Sequence, residues 1–130
     1  MAFDSIAVSV VIPVYNVASF IKRTISSLLS QSLDSVELIF VDDCSTDDSI
    51  KTINAILQEY LDSPKSIKFL YNEKNSGPSC SRNNGLIVAK GEYVFFCDSD
   101  DWLENTALEL LYDHAKNEKA DFVYCDFFMN

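Results

Sequence analysis

Basic residues are scarce in this chain. Ten Lys and Arg stand against twenty Asp and Glu in 130 residues, for a formal net charge of −10. Nucleic-acid backbones require clustered cations, so this balance argues against DNA or RNA as a partner. It also makes any phosphate ligand dependent on an intervening cation. Histidine is reduced to His114, which falls in a helix with polar neighbours and is expected to face solvent. The four cysteines, Cys44, Cys80, Cys97 and Cys125, form no C-x-x-C pair, which leaves zinc, dithiol and disulfide-framework readings without support. Reduced thiols and a cytoplasmic location are the expectation. No G-x-G-x-x-G follows the first apolar run, and neither G-x-x-x-x-G-K-S/T nor G-x-S-x-G occurs. The apolar stretch from Ile6 to Val14 is too short to cross a bilayer, and Asp4 stands where a signal peptide would carry basic charge.

What is present is globular: 48% of residues are hydrophobic and 23% charged. Val8 to Val14 is rich in β-branched residues and reads as a buried strand. Ala18 to Gln31 places Phe20, Ile21, Ile25, Leu28 and Leu29 on one side at helical spacing. Val36 to Val41 is a second strand, and Asp47 to Leu61 a second helix with Ser45 or Thr46 as its expected cap. Ile67 to Tyr71 is a short third strand. A turn over Asn72 to Ser79 leads into a helix from Cys80 to Ala89, which Asn83-Asn84-Gly85 weakens. Glu92 to Cys97, Asn105 to Lys116 and Asp121 to Phe128 complete the order as strand, helix and strand. Alternation without hairpin signals predicts one α/β Rossmann-like unit, a mostly parallel sheet with helices on both faces.

In such sheets the loops after the strands gather at one edge, where ligands bind. Those loops carry Pro13-Val14-Tyr15-Asn16, Asp42-Asp43-Cys44-Ser45, Asn75-Ser76-Gly77-Pro78 with Arg82 beyond, and Asp98-Ser99-Asp100-Asp101. The last of these is the most informative. Three carboxylates in four residues directly after an apolar run repel one another unless a cation sits among them, and a divalent ion with oxygen ligands resolves that. Each piece also has a plainer reading: turn residues at Pro13 and Asn16, capping acids at Asp42 and Asp43, a surface ion pair at Arg82, a solvated acidic turn after the fourth strand. Four such signals on one edge weigh more than any one alone.

In order and spacing, from about Ser9 to the end of the chain, these segments resemble family 2 glycosyltransferases of the GT-A fold. The resemblance rests on Val10 to Asn16, Val41 to Asp47, Asn75-Ser76-Gly77, Ser81 to Gly85 and Asp98 to Asp101. Cys44 departs from it, because the family often has Gly or another small residue there. The resemblance implies transfer of a sugar from a nucleotide-diphosphate donor, commonly a UDP-sugar, to a glycan or lipid-linked acceptor, with Mg²⁺ or Mn²⁺ as cofactor. It implies that Pro13, Val14, Tyr15 and Asn16 line the nucleotide pocket together with Asn75 and Gly77. Asp43 would accept from uracil N3–H while Asp42 braces the loop. Arg82 would lie near the diphosphate or orient the acidic motif. Asp98 and Ser99 would face the ribose or sugar, and Asp100 with Asp98 would hold the metal. The base that activates the acceptor comes, in that family, from a later segment, so it is expected beyond Asn130. Asp121 and Asp126 are equally readable as structural. The chain thus reads as a single donor-binding domain, residues 1–130, ending before the acceptor-binding segment. Homo-oligomer formation and peripheral attachment to the inner membrane face through regions outside it stay open. A binding module without catalysis of its own, and a phosphatase of the haloacid-dehalogenase type, are the competing readings. The latter needs its D-x-D-x-T/V motif after an early strand, whereas here the acids come fourth and run on into Trp102.

Overall fold

The computed structural model describes residues 5–123. Strands β1 (Val8–Val14), β2 (Val36–Asp42), β3 (Ser66–Tyr71) and β4 (Tyr93–Phe96) pair in parallel in the order β3-β2-β1-β4. They alternate with helices α1 (Ile21–Leu29), α2 (Ser49–Leu57), α3 (Pro78–Val88) and α4 (Ala107–Asn117).

Both central strands are apolar on both sides, a pattern that only a sheet covered on each face tolerates. Successive side chains divide accordingly. Val10, Ile12, Leu38 and Phe40 enter a large core with Ile21, Ile25 and Leu28 of α1, Ile53 and Ile56 of α2 and Leu108 of α4. Val11, Ile39 and Val41 point the opposite way, where Val88 and Ala89 cover them. Three helices therefore pack on one face and α3 on the other, as the alternating pattern predicts. The weak helical signal around Gly85 has a packing cause. A Cβ at Gly85 would run into the Val11 side chain, so glycine is what lets α3 approach the sheet so closely. At the opposite edge from the strand-end loops, the fully buried Glu37 is fixed by the Ser9 hydroxyl (2.5 Å), the Lys90 N–H (2.7 Å) and Lys68 Nζ (2.9 Å). Burial pushes its carboxyl upward, and those donors outweigh it, leaving the group below its ordinary range.

Several expectations need correction. Helix α1 starts at Ile21, and Phe20, expected on its inner stripe, is 46% exposed. Neither Ser45 nor Thr46 caps α2. The N-cap position is Asp48, and Asp47 accepts from the Ser49 N–H (2.9 Å) and hydroxyl, while Ser45 and Thr46 are engaged by Asn16. Residues 121–123 carry no strand, and the rest of the fifth apolar run, including Cys125 and Asp126, lies outside the described residues. Among those described, Cys44, Cys80 and Cys97 are free thiols, His114 is exposed, and no helix is long and apolar enough to cross a membrane.

The topology creates one crevice. Pairing of β4 with β1 ends at Phe96 opposite Val11, while β1 runs on to Val14. The loop after β1 is tied to the loop after β2, and the loop after β4 is drawn onto α1, so a cleft opens where the two part. Gly85→Ala is expected to lower stability by about 1–3 kcal/mol through overpacking. Urea unfolding checks this, and the double variant with Val11→Ala should be less destabilised than the sum of the two single changes.

Candidate functional site

The β1 and β2 loops are tied together by Asn16, whose backbone is left-handed at φ 52°. Its N–H donates to Ser45 Oγ (3.1 Å), and its Oδ1 accepts from the Thr46 N–H (2.8 Å) and the Asp47 N–H (3.2 Å). Asparagine suits this place, since it tolerates that conformation and its amide oxygen can take two donors. Tyr15 is half-exposed beside it, and Pro13 is half-buried. Val14 is fully buried in the core, and its carbonyl accepts from the Asp43 N–H, so its side chain does not line the crevice.

Asp42 and Asp43 are both buried. Asp42 Oδ1 accepts from the Ser45 N–H at 3.3 Å within its own loop. Asp43 reaches across to the β3–α3 loop. Its Oδ1 accepts from Asn72 Nδ2 (2.9 Å) and the Ser76 N–H (2.8 Å), and its Oδ2 from the Gly77 N–H (2.8 Å). Burial raises the Asp43 carboxyl, and these three donors more than reverse that, leaving it below the usual 3.8. Gly77 precedes α3 at φ 91° and ψ 166°, a conformation essentially restricted to glycine. Asn75 is exposed at the tip of the same loop. Cys44 adopts φ 62°, the left-handed conformation that glycine fills more readily, and its thiol donates to the Asn72 carbonyl (3.1 Å).

The acidic loop closes the crevice from the β4 side. Asp98, Asp100 and Asp101 are exposed, and each can place a carboxylate oxygen within 4.8 Å of the others. Arg82 Nη2 of α3 donates to Asp98 Oδ1 at 2.7 Å. Burial, then the charges of Asp100 and Asp98, raise the Asp101 carboxyl. Burial, reinforced by the same three carboxylates, pushes the Cys97 thiol up to about 12, so it stays protonated and is no nucleophile. Hard carboxylate oxygens gathered this closely would suit Mg²⁺ or Mn²⁺ rather than a soft metal, and Asp101 stands in the cluster with the expected pair, Asp98 and Asp100.

Sequence reading missed the residues that shape this loop. Thr24, Ser27 and Gln31 lie at i, i+3 and i+7 along and just beyond α1. The Thr24 hydroxyl contacts the carbonyls of Ser99 (2.8 Å) and Asp101 (2.5 Å), and Ser27 Oγ accepts from the Leu103 N–H (3.2 Å). Gln31 Nε2 donates to the Glu104 carbonyl (2.7 Å), while its Oε1 accepts from the Leu108 N–H (3.0 Å) and so caps α4. The available signal was a polar stripe at helical spacing beside an apolar one, which ordinarily reads as a solvated flank.

Comparison with known proteins follows the same outline. The family model described as glycosyl transferase family 2 matches residues 9–130. An uncharacterized glycosyltransferase of Haemophilus influenzae is 39% identical over 124 residues, covering 92% of this chain and 48% of its own length. The crystal structure of S. aureus TarS 1–349 in complex with UDP superposes with a TM-score of 0.78 at 31% identity, covering 87% of this chain and 33% of TarS 1–349. A Pyrobaculum calidifontis mannosyltransferase in complex with GDP-Man and Mn²⁺ gives a TM-score of 0.71 at 26% identity, covering 78% and 30%. The chain thus spans about half or less of the length of these relatives.

Asp43→Asn should cost about 1–3 kcal/mol at neutral pH by removing the charge that takes three hydrogen bonds. Because the folded carboxyl is depressed, its contribution is complete above 3.8 and fades as pH falls through the lower folded value. Urea unfolding across pH should therefore show wild type and variant converging at the acid end.

Proposed function

Because the chain belongs to glycosyl transferase family 2 and shares the GT-A-like α/β fold of TarS, we propose that it binds the nucleotide-diphospho-sugar donor of an inverting, metal-dependent transferase. The donor is read as a UDP-sugar and the acceptor as a hydroxyl of a glycan or lipid-linked glycan in cell-surface polysaccharide synthesis. The observation that carries this reading is the gathering of three carboxylates at the strand-end edge of the sheet, beside Arg82. UDP in the complex with TarS, and GDP-Man with Mn²⁺ in the complex with the mannosyltransferase, support the nucleotide and the cation.

In this reading Asp98, Asp100 and Asp101 hold Mg²⁺ or Mn²⁺ against the donor diphosphate. A bound cation there supplies Lewis-acid stabilisation of the negative charge that grows on the leaving diphosphate. It also answers the electrostatic question set by a net charge of −10. Arg82 keeps Asp98 turned into the crevice and adds positive charge near the phosphates. Asp43 Oδ1 already accepts two hydrogen bonds and Oδ2 one, which leaves acceptor capacity on Oδ2 for uracil N3–H. Tyr15 and Asn16 line the nucleotide side, with Asn75 and Gly77 across from them. Asp42 stays a brace. The general base is assigned to sequence outside these residues, in keeping with relatives of which the chain spans 48% and 33%.

Calorimetric titration with UDP, GDP and ADP, with and without Mn²⁺, tests the assignment. UDP should bind, and only with the cation. Asp100→Ala should abolish that binding, and unchanged UDP affinity in Mn²⁺ would overturn the role given to Asp100. UDP binding without sugar transfer or donor hydrolysis would mark these residues as a donor-binding module that needs the rest of a longer enzyme.

A further inference from the structure

The acidic loop faces a problem that its own residues cannot solve. Three like charges held within 4.8 Å drive the loop open, and Arg82 compensates only Asp98. We infer that Thr24 is a positioning residue that sets the cation affinity of this loop, from a helix that contributes no carboxylate to it. This inference rests on the reading of Asp98, Asp100 and Asp101 as a divalent-cation site.

The geometry is specific. Thr24 is 1% exposed, in the middle of α1. A threonine there ordinarily turns its hydroxyl back onto a carbonyl of its own helix. This hydroxyl instead lies 2.8 Å from the Ser99 carbonyl and 2.5 Å from the Asp101 carbonyl. It has a single proton to share between two acceptors. Those carbonyls belong to the peptide units on either side of the Asp100-Asp101 pair. Anchoring both peptide planes restricts the backbone rotations that aim these two side chains. The Asp101 N–H closes the turn onto the Asp98 carbonyl at 3.1 Å, and Arg82 fixes the Asp98 carboxylate from the other face of the sheet. The loop is thus gripped by two helices on opposite faces, which holds its carboxylates near one another. Without the hydroxyl, the two part-buried carbonyls lose the donor they share, and repulsion separates the acids. A cation then has to reassemble its own ligands, which weakens binding.

The test compares Thr24→Val, which removes the hydroxyl and keeps the branch, with Thr24→Ser, which keeps the hydroxyl. Calorimetric titration of the 130-residue chain with Mn²⁺ alone and with Mn²⁺ plus UDP should show affinity falling about 10-fold or more in Thr24→Val, the range seen when groups that orient metal ligands are removed. Thr24→Ser should recover most of it. Metal-free hydrogen exchange at the Asp101 and Leu103 amides should quicken in Thr24→Val while amides of β1 and β2 stay unchanged, a local effect that general destabilisation does not produce. Thr24→Ala serves in place of Thr24→Val if the latter fails to fold. Wild-type affinity in the hydroxyl-free variant would overturn the inference. Absence of Mn²⁺ binding by the wild type would overturn the cation reading itself, and with it any effect on affinity. Exchange at Asp101 would then still decide whether Thr24 orders the loop, and unchanged rates would refute that as well.

Discussion

Mutual repulsion among Asp98, Asp100 and Asp101 is the constraint around which the strand-end crevice is organised. In surroundings this wet each pair costs on the order of 1 kcal/mol. That is comparable to the net worth of a hydrogen bond, so a few well-placed donors decide whether the cluster stands. The chain supplies them from both sides: the Arg82 guanidinium of α3 on Asp98, and on the loop backbone the Thr24 hydroxyl of α1 and the Gln31 amide just beyond that helix, while Ser27 Oγ accepts from the Leu103 N–H. Neither set works without the sheet, because α1 and α3 lie on opposite faces of it and meet the loop only where β4 leaves β1.

The opposite side of the crevice is built by the same economy of buried polar groups. Asn16 joins the loops after β1 and β2, and Asp43 joins the loop after β2 to the loop after β3. Each uses a side-chain acceptor for backbone N–H groups that have no ladder partner past the strand ends, where an unpaired donor would be costly. The consequence is a continuous rim in which three of the four loops are cross-linked by hydrogen bonds and the fourth is held by helices. A rim of this kind can present a polar ligand with preset geometry, which is what family membership demands of it.

Much of this was legible in the residues. The two-sided apolar strands Val8–Val14 and Val36–Asp42, the alternation with helices and the gathering of unusual residues at one edge all follow from local pattern. The failures were local as well. Phe20 fits the helical stripe by spacing, but the helix starts one residue later, so it falls outside. Ser45 and Thr46 are good caps by chemistry, but Asn16, some thirty residues away, engages both. Val14 sits in the motif beside Tyr15 and Asn16, yet strand alternation sends its side chain into the core.

Residue types and their spacing determined the fold class, the edge that carries the site and the acids that converge there, because apolar periodicity and charge are properties of short segments. Tertiary structure decided which of those residues face the crevice and which brace it, because that depends on pairing register and on helices brought together across many tens of residues. Thr24 makes the difference plain. Within its own helix it is an unremarkable polar position, and only the path of the chain after β4 gives its hydroxyl two carbonyls to hold.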